Sequence, residues 1–209
     1  MTGHDIIVVG ASAGGVEALV TLVGSLPADL PAAVFIVLHI PAQCPSVLPD
    51  ILARSGPLVA LHAEDGDAIE LGKIYVAPPD HHLLIVHESI QITHGPKENR
   101  HRPAVDPLFR SAATAYKQRV IGVVLTGSLD DGSAGLLAIK QCGGLTVVQD
   151  PEDALYPSMP QHAIEHVAVD YVLPLLEIGV LLGRLTRVPV QEPQEDTSCD
   201  DLEIESKSA

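Results

Sequence analysis

The chain has 209 residues, of which 46% are apolar, and its 27 acidic and 12 basic residues give a formal net charge of −15. This length suffices for one sizeable α/β domain with a substantial core, and the negative charge excludes a phosphate-backbone partner such as nucleic acid. The absence of a signal-like first segment or of an apolar run near the roughly 20 residues that span a membrane, with Cys44, Cys142 and Cys199 widely spaced and unpaired, predicts a cytoplasmic protein with reduced thiols and no membrane insertion.

The first predicted strand covers residues 6–9 and runs into the glycine-rich turn Gly10-Ala11-Ser12-Ala13-Gly14-Gly15 before a helix. Consecutive branched apolar residues are typical of a strand buried on both faces, so Ser12 falls at the strand's carboxyl end, where open α/β sheets place ligands. The letters fit the Gly-x-Ser-x-Gly nucleophile elbow, and the helix that follows directs amide donors toward the turn. They predict a nucleophilic serine beside an anion site.

Two other interpretations of this turn stay open. A phosphate-binding turn of a dinucleotide enzyme is disfavoured, because that fingerprint needs glycine at the position of Ser12 and an acidic residue about 20 positions later. The second alternative is a turn serine without chemistry.

The second predicted strand covers residues 33–38 and ends at His39. If both strands are parallel neighbours joined by a right-handed crossover, Ser12 and His39 lie on one rim of the sheet. Further strands are predicted at 58–62 and 73–77, with a hairpin at 83–92. His81 and His82 do not favour a metal site, because adjacent strand residues point to opposite faces of the sheet. His162 and His166 are helix neighbours at four-residue spacing, but they lack an evident third ligand.

A basic loop follows at residues 95–103 and concentrates Lys97, Arg100 and Arg102 in an otherwise acidic chain. Such a local positive spot predicts docking of an acidic substrate by Arg100 and Arg102. The next residues predict a helix that Asp106 caps and Pro107 begins.

The last buried strands are predicted at 120–125 and 145–149, with a final helix at 174–185. The first of these strands ends in a second glycine-rich turn, which carries Asp130 and Asp131. The chain is predicted to fold as one domain over 1–186, followed by an acidic, disordered and solvating tail at 187–209.

Serine, histidine and aspartate thus stand at the carboxyl ends of three buried strands, as Ser12, His39 and Asp131. Ester or amide hydrolysis needs an activated hydroxyl, an imidazole that takes and returns its proton, and a carboxylate that orients the imidazole. Backbone amides of the two glycine-rich turns can donate to the developing oxyanion. The pattern therefore predicts a serine hydrolase that needs no cofactor and no metal.

Several separate motifs stand in a characteristic order: Gly10-Ala11-Ser12-Ala13-Gly14-Gly15, His39-Ile40-Pro41, Ala77-Pro78-Pro79-Asp80-His81-His82, Asn99-Arg100-His101-Arg102-Pro103-Ala104-Val105-Asp106, Leu125-Thr126-Gly127 with Asp131-Gly132, and Ser158-Met159-Pro160. With these motifs the chain resembles, from about residue 5 to about residue 182, the catalytic domain of the bacterial chemotaxis receptor methylesterases, the CheB family.

The resemblance implies an α/β fold with a doubly wound, mostly parallel sheet in a three-layer α/β/α sandwich, and the residue pattern adds an antiparallel hairpin at one side. It implies that Ser12, His39 and Asp131 form the catalytic triad. The implied chemistry is hydrolysis of glutamate γ-methyl esters, and deamidation of certain glutamines, on the cytoplasmic helices of methyl-accepting chemoreceptors.

The chain departs from the family pattern at Ala13, Leu38 and Ser128, where threonine, glutamine and methionine are common. Ala13 and Ser128 are expected to line the oxyanion site, so these changes bear on rate and substrate preference. No receiver domain fits the sequence, which predicts a stand-alone esterase controlled by a separate regulatory or methyltransferase partner. The alternative function is a weak or inactive esterase-fold module that docks in a signalling complex. The intact trio argues against it.

Overall fold

The computed structural model describes residues 3–43 and 46–190. Its strands are β1 (Ile6–Ala11), β2 (Ala33–Leu38), β3 (Val59–His62), β4 (Lys73–Val76), β5 (His82–Val86), β6 (Ser89–Thr93), β7 (Val120–Val124), β8 (Leu145–Gln149) and β9 (Tyr171–Leu173). Its helices are α1 (Gly15–Gly24), α2 (Leu48–Ser55), α3 (Val105–Tyr116), α4 (Ser133–Gln141), α5 (Ser158–His166) and α6 (Leu175–Leu185).

Seven strands form one parallel sheet in the order β3-β4-β2-β1-β7-β8-β9. Every residue of β1 and β2 is buried, as their unbroken apolar runs predict. Ile6 and Val8 pack in the core that α3, α4 and α5 cover, whereas Ile7 and Val9 pack in the core that α1, α2 and α6 cover. Alternate residues of one strand thus serve two cores, and the predicted three-layer sandwich is confirmed.

The order of connection reverses at β1, which has β2 on one side and β7 on the other. Ligand sites of such sheets lie at the carboxyl ends of the strands at this switch point. Backbone pairing continues past the strand ends there, since Ser12 N–H donates to the Thr126 carbonyl at 3.0 Å and His39 N–H donates to the Ala11 carbonyl at 3.2 Å. The segments after β1, β2 and β7 are therefore held side by side.

The hairpin of β5 and β6 forms a separate two-stranded antiparallel sheet. Leu83, Ile85 and Ile90 are buried in the core that α3 also lines, and Ile85 N–H donates to Ser111 Oγ of α3 at 3.0 Å. The hairpin therefore packs against a helix instead of lengthening the main sheet. No pattern predicts β9, because three residues are too few to show a periodicity.

Asp106 does not cap its own helix, so that prediction is wrong. Helix α3 begins at Val105 after Ala104, and Asp106 lies inside its first turn. The Asp106 Oδ1 atom instead accepts the N–H groups of Gly132 at 3.0 Å and Gly135 at 2.7 Å, at the start of α4. The carboxylate thus satisfies two orphan donors of a neighbouring helix, a role that depends on tertiary contact.

Two further sequence predictions concern the cysteines and the tail. Cys142 is disulfide-bonded, so the prediction of reduced thiols is wrong at this position. Of the predicted acidic tail, 187–209, the structure describes residues 187–190, where Arg187 pairs with Asp29 at 2.8 Å, and the remainder lies outside the described residues. None of the helices in 3–43 and 46–190 has both the length and the apolar character needed to cross a membrane.

Candidate active site

Ser12 lies in the tight turn that joins β1 to α1. Gly14, the residue before the helix, has a φ of 71°, a left-handed conformation that glycine adopts without strain. The turn after β7 packs closely against Ser12, since a Cβ at Gly127 would lie 2.9 Å from the Ser12 Cβ and 2.6 Å from the Met159 sulfur. Glycine at position 127 therefore lets the two glycine-rich turns meet around the serine.

The structure brings Ser12, His39 and Asp131 together in one hydrogen-bonded chain. His39 Nδ1 lies 3.0 Å from Ser12 Oγ, and His39 Nε2 lies 2.7 Å from Asp131 Oδ2. Because the carboxylate accepts the Nε2–H, the Nδ1 lone pair faces the serine hydroxyl and can take its proton. The two ring nitrogens serve in the opposite sense in the well-studied serine proteases.

The Asp131 carboxylate is almost fully buried and accepts hydrogen bonds from several directions. Val105 N–H donates to Oδ2 at 2.7 Å, while Asp106 N–H at 3.1 Å and the Asn99 amide at 2.7 Å donate to Oδ1. Burial pushes the pKa of Asp131 upward, but the hydrogen bonds from His39, Val105 and Asn99 outweigh it and hold the pKa below its usual value. The group therefore stays ionised and can stabilise a protonated His39.

A second buried carboxyl group, Asp106, adjoins the first. Burial and the negative charge of Asp131 raise the pKa of Asp106, against the hydrogen bonds from Gly135 and Asn99. Asn99 Nδ2 donates to Asp106 Oδ2 at 2.8 Å as well as to Asp131, so one amide group bridges both carboxyl groups. The environment pushes the pKa values of the two acids in opposite directions, a pattern that marks functional sites.

The ring of His101 stacks on the ring of His39, with centroids 3.7 Å apart and planes within 3° of each other. Burial lowers the pKa of His101, and the nearby His39 lowers it further. Asn99 and His101 carry site contacts that no spacing pattern assigns. The sequence signals were their place in the polar loop before α3 and in the motif from Asn99 to Asp106 that carries the family resemblance.

Ala13 and Ser128 follow directly after Ser12 and Gly127. The Ala13 carbonyl accepts a hydrogen bond from Thr126 Oγ1 at 3.1 Å, and the Ser128 side chain is exposed. Within the part of the chain that the structure describes, the backbone N–H groups of Ala13 and Ser128 have no hydrogen-bond acceptor. One of these amides thus directly follows the serine, and the other follows Gly127, the glycine that packs against it.

The two predicted docking arginines differ in their surroundings. Arg102 donates to Asp80 Oδ1 from Nε at 3.0 Å and from Nη2 at 2.8 Å, and its Nη1 donates to the Gly95 carbonyl at 2.6 Å. Its side chain is only 14% exposed. Arg100 is exposed. Of these two arginines, Arg100 is the one that presents its charge to an incoming partner.

The histidines that raised a metal interpretation are mostly engaged otherwise. His82 is buried, with its ring nitrogens near the Pro96 carbonyl at 2.8 Å and the Ala104 N–H at 3.3 Å. On α5 the structure adds a third donor that the sequence spacing did not indicate. Potential metal ligands within 4.8 Å of one another are His162, Glu165 and His166 on the surface of α5.

Comparison with known proteins gives one consistent result. The profile of the CheB methylesterase family matches residues 7–182. A Leptospira interrogans relative is 42% identical over 183 residues, covering 87% of this chain and 95% of that protein. Protein-glutamate methylesterase/protein-glutamine glutaminase 2 of Methanosarcina mazei is 38% identical over 192 residues, which cover 88% of this chain and 52% of that protein.

Among solved structures, the Thermotoga maritima CheB methylesterase catalytic domain superposes with a TM-score of 0.83 at 34% identity. The match covers 88% of this chain and 100% of that domain.

Proposed function

The chain belongs to the CheB methylesterase family, and from this premise we propose that it is a serine hydrolase acting on glutamate γ-methyl esters of chemoreceptor cytoplasmic helices. Deamidation of glutamines on the same helices is part of the proposal. The observation that carries it is the hydrogen-bonded chain from Ser12 through His39 to the buried Asp131. Such a substrate would place the reaction in the cytoplasm.

In the proposed reaction, Ser12 Oγ attacks the ester carbonyl carbon while its proton passes to His39 Nδ1. Asp131 stabilises the imidazolium that results, because it is ionised and lies 2.7 Å from Nε2. The imidazolium then gives its proton to the departing methoxide, which leaves as methanol. Water deprotonated by His39 hydrolyses the acyl-enzyme and releases glutamate. With a glutamine substrate the leaving group is ammonia.

We propose that the backbone amides of Ala13 and Ser128 hold the oxyanion of the tetrahedral intermediate. Both N–H groups lack an acceptor among the described residues. Ala13 follows the nucleophile Ser12, and Ser128 follows Gly127, which packs against Ser12. A donor of this kind is worth about 3 to 4 kcal/mol of transition-state stabilisation in well-studied serine hydrolases. Since the backbone is the donor, the side chains by which these two positions depart from the family pattern leave the oxyanion donors in place.

We assign substrate docking to Arg100 alone. The chain carries a net charge of −15, so its overall field repels an acidic helical partner, and an exposed cation near the site offsets that repulsion locally. Arg102 is bound to Asp80 and to the Gly95 carbonyl, and its role in the proposal is to hold the loop that carries Asn99 and His101.

The direct test is methanol release from a methylated chemoreceptor cytoplasmic fragment. We expect release with the natural protein, none above background with Ser12→Ala, and full release with the control Ser89→Ala at the start of β6, where the hydroxyl donates to the Val86 carbonyl. A natural protein that binds the fragment without releasing methanol or ammonia would instead be the docking module. Equal release by the natural protein and Ser12→Ala would contradict the proposed nucleophile.

A further inference from the structure

The contacts of Asn99 and His101 originate in a single four-residue turn, Glu98 to His101. The backbone groups of Glu98 and His101 pair in both directions, at 2.8 Å and 3.2 Å. The two central residues, Asn99 and Arg100, have φ angles of 48° and 69°. Positive φ at both central positions identifies a type I′ turn, which normally selects asparagine or glycine.

Arginine is an unusual occupant of such a position, because its side chain disfavours the left-handed region. Strained residues of this kind persist where the surrounding structure fixes them, and they concentrate at functional sites. In this turn the strain coincides with a specific arrangement: Asn99 reaches the two buried carboxyl groups, and His101, two residues later, covers the ring of His39.

We propose that the Glu98–His101 turn is a positioning element for the triad, in which Asn99 fixes the Asp131 carboxylate and His101 fixes the plane of the His39 ring. Asn99 bonds to Asp131 and His101 stacks on His39, so both residues act through members of the triad. The inference deepens the proposed hydrolytic function and depends on it, because positioning matters only if Ser12, His39 and Asp131 act as a catalytic unit.

Asn99 performs a task that few side chains could perform at this place. Its amide group has two N–H donors, and it gives one to Asp131 Oδ1 and one to Asp106 Oδ2. Without these bonds, the repulsion between the two buried carboxyl groups and the cost of burying them would be less well offset. Aspartate at this position has nearly the same shape but, when ionised, only accepts hydrogen bonds. A change that preserves shape and removes the donors therefore isolates the bridge.

His101 acts through the face of its ring. Rotation of the His39 ring out of its plane would lose the bonds to Ser12 and Asp131 together, and the parallel ring 3.7 Å away blocks that rotation. When His39 takes the serine proton, a neutral aromatic face beside it is favourable. Burial and the neighbouring His39 lower the pKa of His101, Asp131 opposes them, and Lys97 and Arg100 also lower it.

The experiment measures two rates on the purified 209-residue protein. One is covalent labelling of Ser12 by a fluorophosphonate probe, and the other is methanol release from the methylated receptor fragment with kcat and KM separated. Probe labelling reports nucleophile activation without a receptor. It can therefore succeed even if the proposed substrate is wrong, which keeps the two failures distinguishable. Thermal unfolding of each variant accompanies both rates.

For His101, we expect His101→Ala to lower the labelling rate and kcat about tenfold with KM unchanged, and His101→Phe to restore both to within about threefold of the natural protein. Phenylalanine keeps the stacked face but has no nitrogen, so this rescue separates stacking from proton transfer. The matched control is His166→Ala on the surface of α5, which should leave both rates unchanged.

For Asn99, we expect Asn99→Asp to lower the labelling rate and kcat about a hundredfold, and Asn99→Ala to lower them about tenfold. The inference is overturned if His101→Ala labels as fast as the natural protein, if His101→Phe is as slow as His101→Ala, or if Asn99→Asp has unchanged rates. Failure of the natural protein to label at all, or labelling that survives Ser12→Ala, would overturn both the triad and the positioning role.

Discussion

His39 connects the two halves of the candidate site through the two nitrogens of one ring. The nitrogen that faces Asp131 carries the proton, because a buried, ionised carboxylate can only accept, and this leaves the other nitrogen basic toward Ser12. The roles of the three side chains are therefore interdependent, and a change in one removes the function of the others.

We predict that Ser12→Ala, His39→Ala and Asp131→Asn each lower kcat by about a thousandfold or more, and that double variants are hardly slower than the single ones. The folded state should persist, because the groups stand at the rim of the sheet. Methanol release measures the rates, and circular dichroism checks the fold. If the losses of kcat multiplied in the double variants, the three side chains would not act as one catalytic unit.

Ala13 and Ser128 test whether the oxyanion donors are backbone groups. We predict that Ala13→Thr with Ser128→Met raises kcat at most about tenfold, since one added neutral hydrogen bond contributes about 0.5 to 1.5 kcal/mol. The rates of methanol release by the natural and the doubly changed protein give the comparison. A natural protein without turnover that gains activity in this variant would show that side chains, not amides, complete the site.

Arg100 and Arg102 should respond differently to the same substitution. We predict that Arg100→Gln weakens fragment binding about two- to fivefold at low salt and makes binding less salt-dependent, while stability is unchanged. Arg102→Gln should instead lower the unfolding temperature, because the Gly95 carbonyl and Asp80 lose their donor. Titration calorimetry at two salt concentrations and thermal unfolding measure these effects. Identical behaviour of the two variants would refute the division of roles.

At the scale of elements, helices α3 and α4 support the site by close packing at their first turns. The amide of Val105 in α3 reaches Asp131, and Asp106 Oδ1 receives two amides from the start of α4. A Cβ at Gly135 would lie 2.4 Å from the Phe109 Cβ and 3.1 Å from Asp106 Oδ1. The absence of a side chain at position 135 is what allows this approach.

We predict that Gly135→Ala destabilises the fold by about 1 to 3 kcal/mol, because α4 must move away from α3, and that it also lowers kcat. The control is Gly183→Ala in α6, where the added Cβ would meet the edge of Pro27 at 3.2 Å. Alanine is favoured over glycine in helices by about 0.5 to 1 kcal/mol, so the control should be neutral or slightly stabilising. Urea unfolding gives both values, and equal effects would contradict the packing account.

At the scale of the whole molecule, the parallel sheet separates two cores, and each contains side chains from distant parts of the chain. Polar groups within this interior are nearly all paired, as folding requires. Among the described residues, the buried side-chain atoms without a hydrogen-bond partner are His4 Nδ1 and Ser133 Oγ.

The buried His4 leads to a prediction of how the free energy of unfolding depends on pH. Burial lowers the pKa of His4 from its ordinary 6.5, so the unfolded chain binds this proton before the folded protein does. The contribution of neutral His4 to stability is therefore complete above pH 6.5 and is lost as pH falls below that value toward the folded-state pKa. We predict that His4→Gln reduces the loss of unfolding free energy between pH 7.5 and 5.5, as measured by urea unfolding. An unchanged loss would contradict it.

The sequence by itself determined the long buried strands and the turns that follow them. Those features depend on neighbours along the chain: branched apolar runs form buried strands, and glycines mark the turns that follow them. Ser12, His39 and Asp131 could be predicted to share a rim because each follows such a strand, and parallel strands place their carboxyl ends together.

The tertiary structure alone decided which side chains support that trio. Asp106 is a cap by residue type, but the helix it caps is α4, because α3 and α4 meet at Gly135. His101 and Asn99 had no periodicity to mark them, and a strained turn directs them to His39 and Asp131. The sequence predicts Arg102 as a surface cation, but its side chain donates to Asp80 of another loop. Each of these roles is a contact between segments far apart in sequence, and local patterns carry no information about such contacts until the chain is packed.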